Sequence, residues 1–222
     1  VESEQAIAAT IKATFPDHVV IGEELHSGDT LAEHAWIVDP LDGTNNFAHD
    51  VPNFSVSIAY CHRGRPTAGV VYNPVYGDWY TAARGHGARH NDRPIRVAAH
   101  DRLDQSLVGV GFYYDRGKLM EGTLAAIADL FRQQIHGIRR FGSAALDLCS
   151  VARGQFGAFF EYQLSPWDYA AGILIVEEAG GTVTNCLGEP LELKQSSILA
   201  TNGTLHGPML EHVASHYRDA TK

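Results

Sequence analysis

The fold prediction starts from the stretch Ile37-Val38-Asp39-Pro40-Leu41-Asp42-Gly43-Thr44, in which acidic residues follow an apolar run. Ala35 to Val38 predicts a strand, and Asp39 follows at its carboxyl end, where open sheets commonly carry functional groups. Two carboxylates placed three residues apart in a turn can share a hard cation, and all-oxygen ligation is typical of Mg²⁺ or Mn²⁺ rather than of zinc. A plain turn rich in Asp, Gly and Pro explains the same string, so other segments have to decide between the two.

The turn that ends this stretch also suits an anion. Gly43 lets the backbone approach a ligand closely, and Thr44 adds a hydroxyl group. Consecutive backbone N–H groups at such a turn can hold an anion between them. The sequence therefore predicts a cation site and an anion site side by side.

Composition indicates a chain with a sizeable core and no membrane span. Of the 222 residues, 45% are hydrophobic and 19% charged, and no apolar run approaches the length of a transmembrane helix. The formal net charge of −9 makes nucleic-acid binding an unexpected role, because that binding depends on Lys and Arg. The three cysteines form no pair typical of zinc or of a disulfide framework, so a cytoplasmic location is expected.

The pattern of hydrophobic residues differs between the two halves of the chain. Residues 1–100 are predicted as an N-terminal α+β half, in which β-rich runs separated by turns form an antiparallel sheet and carry the acidic motifs. Residues 101–222 are predicted as a C-terminal α/β half, because strands and helices alternate there. The first helix begins at the edge of the chain without an N-cap, so we expect further helices upstream of it.

Two more acidic segments follow predicted strands. Gly22-Glu23-Glu24 is one of them, although adjacent Glu residues usually form a solvated loop. In the other, Ser165-Pro166 starts a helix and Asp168 falls in its first turn, where the helix dipole favours a carboxylate. That placement is a complete structural explanation of Asp168. The alternative is that Asp168 points to the same place as Asp39 and Asp42.

Glu161 stands inside an apolar strand seven residues before Asp168. A Glu in such a strand usually has a specific partner. It either pairs with Arg139 or Arg140 or accepts a hydrogen bond from a substrate hydroxyl group.

These segments together resemble the inositol monophosphatase family over nearly the whole chain. The resemblance rests on Ile37 to Phe47, on Ser165 to Gly172, on Glu177 to Gly181, on Gly22-Glu23-Glu24 and on Gly69 to Tyr72. It implies a layered αβαβα sandwich, an assembly that is usually a homodimer, and Mg²⁺-dependent, often Li⁺-sensitive hydrolysis of a phosphate monoester. Mn²⁺ is an alternative ion, and two to three ions are expected in each site.

The resemblance also implies roles for individual residues. Glu23, Asp39 and the Leu41 carbonyl would bind one metal, and Asp39, Asp42 and Asp168 a second. Glu23 would also touch a third metal. The residues implied in catalysis are Glu23, Thr44 and Asp42. Those implied in substrate binding are Gly43, Thr44, Gly142, Ser143, Ala144 and Glu161.

The sequence departs from the family pattern at one place. The resemblance also leaves the substrate undetermined. The family has a Thr-x-x-Asp motif just upstream of its first acidic helix, and residues 1–4 already lie beyond that point. Glu161 favours an inositol phosphate as the substrate, with histidinol phosphate as the alternative. Fructose 1,6-bisphosphate and nucleotide phosphates are further substrates in the family, and some bacterial relatives bind the transcription machinery instead.

Overall fold

The computed structural model describes residues 1–24, 28–114 and 116–221. The helices in these ranges are α1 (Glu2–Thr14), α2 (Thr44–Ala48), α3 (Lys118–Arg132), α4 (Ala144–Ala152), α5 (Pro166–Glu178) and α6 (His206–Ala220), with a 3₁₀ turn at Leu103–Gln105. The strands are β1 (Val19–Gly22), β2 (His34–Asp42), β3 (Ser55–His62), β4 (Arg65–Asn73), β5 (Asp78–Ala83), β6 (Ala88–His90), β7 (Arg93–Pro94), β8 (Leu107–Val110), β9 (Gly137–Arg139), β10 (Ala158–Leu164), β11 (Thr182–Thr184) and β12 (Ser196–Thr201).

The first sheet contains strands β1 to β7 in chain order. β1 and β2 are parallel, and the later neighbours are antiparallel. Burial alternates along β3, as expected of a strand with one face on the core. The buried face packs against α5. Gly69 permits this contact, because a Cβ atom there would lie 3.2 Å from the Ala171 Cα atom.

The second sheet has the order β11-β12-β10-β8-β9. Its central strand β10 is parallel to β8 and antiparallel to β12. Six of the seven residues of β10 are buried, which is typical of a strand covered on both faces. On one of these faces Phe160 packs in a cluster with Leu130 of α3 and Met209 of α6.

Helices α4 and α5 lie between the two sheets. α5 contacts strands of both sheets, and most of its residues are buried around its whole circumference. Helix α1 lies on the other face of the first sheet. Directly after this helix, the centroid of the Phe15 ring lies 5.7 Å from that of the Trp36 ring. The order of layers is therefore α1, first sheet, α4 and α5, second sheet, α3 and α6. This confirms the expected αβαβα sandwich.

Strand β2 differs from the prediction in a way that matters for the site. We expected it to end at Asp39, but it continues to Asp42. Asp39 pairs with Ser57 and Asp42 with Ser55, so two residues of β2, Pro40 and Leu41, lie opposite one residue of β3. This irregularity has the residue count of a β-bulge. No helix within the described ranges is long and apolar enough to span a membrane.

Candidate metal centre

The irregularity in β2 brings the two aspartates of the opening stretch to one side of the sheet. In a regular strand, residues three apart point to opposite faces. Ser57 and Ser55 are two apart and share a face, so their partners Asp39 and Asp42 share it as well. Asp39, Asp42 and Asp168 each present one carboxylate oxygen such that all three oxygens lie within 4.8 Å of one another. A single cation can contact all three.

Asp42 is held by the N-terminus of α4. Its Oδ2 atom accepts hydrogen bonds from the Ser143 hydroxyl at 2.5 Å and from the Ala145 N–H at 2.9 Å. The Ala144 N–H donates to Oδ1 at 3.3 Å. These donors lie in the first turn of the helix, where the backbone dipoles favour negative charge. The side chain of Asp42 is therefore fixed before any ligand binds.

Asp168 is fixed by the start of α5. Ser165 is the N-cap, Pro166 occupies the first helical position, and Asp168 is the third helical residue, as the sequence predicts. Its Oδ2 atom accepts a hydrogen bond from the Ser165 N–H at 2.7 Å, which is one half of a capping box. Both explanations weighed for Asp168 apply, because the capping carboxylate also points at Asp39 and Asp42.

Hydrogen bonds between side chains and backbone stabilise the turn after Asp39. The Leu41 N–H donates to Asp39 Oδ1 at 2.9 Å, and the Thr44 hydroxyl donates to the Leu41 carbonyl at 3.0 Å. Gly43 has φ 90°, which favours glycine, and a Cβ atom there would lie 3.0 Å from the Asn53 carbonyl oxygen. Thr44 then begins α2, a helix of five residues.

Glu23 and Glu161 line one cavity together with the three aspartates. Glu23 directly follows β1, the parallel neighbour of β2, so it leaves the sheet close to Asp39. Glu161 belongs to β10 and is 7% exposed. Among the described residues, neither Arg139 nor Arg140 forms an ion pair with Glu161 within 4.0 Å, which removes the structural pairing considered from the sequence.

The electrostatics of the cluster favour bound cations. Burial raises the pKa of Asp39 well above its usual range, and the charges of Asp42, Glu23 and Asp168 raise it further. Burial, followed by the charge of Asp42, raises the pKa of Asp168 to about 7. Burial also raises the pKa of Asp42, against the hydrogen bonds from α4. A divalent ion would stabilise the ionised carboxylates against both their burial and their mutual repulsion.

The carboxylates line a cavity of about 470 Å³. Its described lining contains seven carboxyl side chains and a single Arg or Lys, Arg140. The carboxyl residues are Glu23, Glu24, Asp39, Asp42, Asp147, Glu161 and Asp168. An anion cannot enter such a cavity favourably unless cations neutralise the lining first. The donor set is entirely oxygen, which fits Mg²⁺ and Mn²⁺.

The cavity contains all the site residues predicted from the sequence. They are Glu23, Asp39, Leu41, Asp42, Gly43, Thr44, Gly142, Ser143, Ala144, Glu161 and Asp168. The fold brings these positions together. Their roles in metal binding, catalysis and substrate binding stay predictions.

Sequence reasoning missed some polar residues around the site. Asn46 donates to the Asn53 and Phe141 carbonyls at 2.6 and 2.7 Å, and so joins the segment before β3 to the segment before α4. Asp147 lines the cavity, is 2% exposed, and its Oδ1 atom has no hydrogen-bond partner among the described residues. A charged residue in the otherwise apolar start of α4 was the signal for Asp147.

Known proteins are similar to this chain in architecture and in sequence. A "Putative Nus factor SuhB" from Neisseria meningitidis serogroup B is 44% identical over 96% of this chain and 82% of its own length. An "Inositol-1-monophosphatase" from Synechocystis is 42% identical over 96% of this chain and 75% of its own length. The solved structure of an inositol monophosphatase from Anabaena (Nostoc) superposes with a TM-score of 0.90 at 40% identity, over 96% of this chain and 84% of that one.

The family assignment follows from these matches and from the sequence as a whole. The model of the inositol monophosphatase family matches residues 1–221, which include the bulged strand β2 and the start of α5. The three converging aspartates come from these two elements. The chain belongs to the inositol monophosphatase family.

Proposed function

We propose that this protein is a Mg²⁺-dependent phosphomonoesterase that hydrolyses a small polyol phosphate, with inositol 1-phosphate as the first choice. One observation carries the proposal: Asp39, Asp42 and Asp168 converge to within 4.8 Å in a cavity whose other charged groups are mostly carboxylates. A phosphate ester binds there only together with cations. Membership of the family supports phosphatase activity. The identity of the ion and that of the substrate are proposed.

The proposed metal ligands form two overlapping sets. Glu23, Asp39 and the Leu41 carbonyl hold one ion, and Asp39, Asp42 and Asp168 hold a second, with Glu23 also touching a third. Asp42 and Asp168 are anchored by helix starts, so they provide the rigid part of this set. Mg²⁺ is the expected ion and Mn²⁺ an alternative, because all the donors are oxygens.

In the proposed reaction, a water attacks phosphorus in line with the ester oxygen. Divalent ions held by Glu23, Asp39, Asp42 and Asp168 would lower the pKa of that water and offset the charge of the phosphate group. The Thr44 hydroxyl orients the water and the Glu23 carboxylate accepts its proton, while Gly43 and Thr44 contact the phosphate. The bond from phosphorus to the ester oxygen breaks as the new bond to the water oxygen forms, and the leaving oxygen takes a proton from solvent. Asp42 and Asp168 would hold the ion that stabilises negative charge on the leaving oxygen. Positioning and electrostatics carry phosphoryl transfer, so no covalent intermediate on the protein is required.

The proposed substrate preference depends on Glu161. In the proposal, Glu161 accepts a hydrogen bond from a substrate hydroxyl group, and Gly142, Ser143 and Ala144 of the same cavity lining also contact the substrate. The test is a panel with Mg²⁺ that contains inositol 1-phosphate, histidinol phosphate, fructose 1,6-bisphosphate and nucleotide 3′-phosphates. We expect the highest kcat/KM for inositol 1-phosphate. A preference for histidinol phosphate by orders of magnitude would overturn the choice.

A second candidate function is binding to the transcription machinery. It is favoured by relatives that carry the name Nus factor SuhB. The converging aspartates favour catalysis instead, because a binding protein has no need of three mutually repelling carboxylates. Recovery of RNA polymerase in a pull-down, combined with no Mg²⁺-dependent turnover of any ester, would select the second function.

The remaining properties proposed are a homodimer, sensitivity to Li⁺ and a cytoplasmic location. The three cysteines, Cys61, Cys149 and Cys186, are all free and buried, which suits a reducing compartment. Light scattering during size-exclusion chromatography tests the dimer, and phosphate release with added LiCl tests the sensitivity. A monomeric mass would contradict the homodimer. Turnover that LiCl leaves unchanged would contradict the sensitivity to Li⁺.

A further inference from the structure

Helix α1 carries a buried acidic residue outside the predicted metal site. Glu4 is 1% exposed, whereas its neighbours Glu2 and Ser3 are exposed. Its Oε2 atom accepts a hydrogen bond from the backbone N–H of Glu24 at 3.0 Å. A Glu that is almost fully buried requires a specific interaction to offset the loss of hydration. Glu4 therefore connects α1 to the segment that follows β1.

The backbone at Gly22 is fitted to this carboxyl group. A Cβ atom at Gly22 would lie 2.0 Å from Glu4 Oε1 and 2.7 Å from Oε2. Real Cβ atoms do not approach so closely, so a side chain at position 22 and the carboxyl group of Glu4 exclude each other. Gly22 is buried at the last position of β1. The Glu4 carboxyl group thus lies against the backbone on both sides of Glu23.

Glu23 is the residue between these two contacts, and it lies in the cavity. Its charge raises the pKa of Asp39 and of Asp168, so its carboxylate is electrostatically linked to the aspartate cluster. The rigid anchors of Asp42 and Asp168 are helix starts. Glu23 follows a strand of four residues, and the hydrogen bond from Glu24 to Glu4 provides a comparable anchor.

We propose that Glu4 is a positioning residue: it holds the backbone of Gly22 and Glu24 so that the Glu23 carboxylate faces the metal centre. The inference rests on the proposed function, because it takes the cavity to bind divalent ions. Glu4 itself does not touch the ions or the substrate. Groups that orient a metal ligand commonly change metal affinity about 10-fold to 100-fold when they are replaced.

The test measures the dissociation constant of Mn²⁺ alone by isothermal titration calorimetry on the full chain. We expect Glu4→Ala to raise this constant about 10-fold. Glu4→Gln keeps an acceptor for the Glu24 N–H, so we expect it to stay within about threefold of wild type. Ser3→Ala, at an exposed position of the same helix, is the matched control and should change nothing.

A double-mutant cycle separates positioning from a general effect on the fold. In a Glu23→Gln background, we expect Glu4→Ala to change the Mn²⁺ dissociation constant less than threefold, because the residue that it positions has lost its charge. The same 10-fold effect with and without the Glu23 carboxylate would overturn the proposal. If Glu4→Ala fails to fold, Gly22→Ala replaces it in the cycle, since its methyl group displaces the Glu4 carboxyl group.

The outcomes distinguish this inference from the function on which it rests. Wild-type protein that binds no Mn²⁺ would overturn the proposed function and this inference together. Wild-type protein that binds Mn²⁺ as tightly as Glu4→Ala does would overturn the inference alone.

Discussion

The Ser143 hydroxyl donates a hydrogen bond of 2.5 Å to the Asp42 carboxylate, across 101 positions of the sequence. This contact joins the end of β2 to the N-cap of α4, and so links the first sheet to the helices between the sheets. Asp42 is therefore both a structural acceptor and a proposed metal ligand. Asp168 has the same double role at the start of α5, with fewer hydrogen bonds.

The two aspartates should respond differently to the same substitution. Asp42→Asn places an NH₂ group among donors from Ser143, Ala144 and Ala145, so one donor loses its acceptor. Asp168→Asn keeps an acceptor for the Ser165 N–H. We expect both variants to lose at least about 100-fold in kcat. We expect Asp42→Asn to be less stable than Asp168→Asn by about 1–2 kcal/mol.

Steady-state phosphate release and urea unfolding measure the two quantities. The unfolding experiments are run without metal, so that the loss of a metal ligand does not enter the comparison. Full phosphatase activity in both variants would contradict the site assignment. Equal stability of the two would contradict the structural role given to Asp42.

The pKa of Asp168 predicts how pH changes the stability of the metal-free protein. It is about 7 in the folded state, against an ordinary value of 3.8. Between these values the folded state binds more protons than the unfolded state, so the contribution of Asp168 to stability falls as pH rises to 7. We expect metal-free Asp168→Asn to be more stable than wild type at pH 8 by roughly 1–3 kcal/mol, after allowance for solvent screening.

Thermal unfolding in EDTA at pH 5 and pH 8 checks this prediction. The advantage of Asp168→Asn should shrink at pH 5, where the wild-type carboxyl group is protonated. An advantage that is equal at both values would show that the variant acts through packing instead.

Added metal should stabilise the folded protein. An ion that binds the native state alone raises the free energy of unfolding with the logarithm of its concentration, by about 2.7 kcal/mol at 100 times its dissociation constant. We expect the Tm to rise steadily with MgCl₂ or MnCl₂ in wild type and hardly at all in Asp42→Asn. Equal increases in the two proteins would place the bound ion elsewhere.

Gly111 offers a test of the proposed substrate contact of Glu161. A Cβ atom at Gly111 would lie 1.7 Å from Glu161 Oε2, so Gly111→Ala must displace that carboxyl group. We expect kcat/KM for inositol 1-phosphate to fall about 10-fold. The fall for p-nitrophenyl phosphate, which has no hydroxyl group to bind, should be clearly smaller.

Gly207→Ala is the matched control, because a Cβ atom there would meet nothing within 4 Å. It lies in α6, away from the cavity lining, and should leave both ester activities unchanged. If Gly111→Ala lowered kcat/KM equally for both esters, Glu161 would have no specific role in recognising a hydroxyl group.

Much of the fold could be predicted because its signals are local. Strand β3 alternates between buried and partly buried residues, and Ser165-Pro166 marks the start of α5. Short elements such as β6 and β7 escaped prediction, since two or three residues carry no usable periodicity. The irregularity in β2 also escaped, because it depends on pairing with β3.

The sequence indicated most residues of the candidate site, but not the contacts that hold them in place. The sequence pointed to Glu23, Asp39, Asp42, Glu161 and Asp168, which line one cavity, but not to Asp147 in the same lining. The spacing of three and four residues predicts one apolar stripe on the first helix, made of Ile7, Ala8, Ile11 and Phe15. Ile11 is buried as this stripe predicts, but Phe15 is 40% exposed, and Glu4 is buried against Gly22. Contacts between distant segments set this arrangement, and no local pattern records them.

The most direct test of the central claim is the release of inorganic phosphate from inositol 1-phosphate as MgCl₂ is added back to EDTA-treated protein. The account predicts no release without the ion, saturable activation as it is added, and loss of that activation in Asp42→Asn. Phosphate release that proceeds at the same rate in EDTA would contradict it, as would saturating Mg²⁺ that gives no release from this or any other ester of the panel.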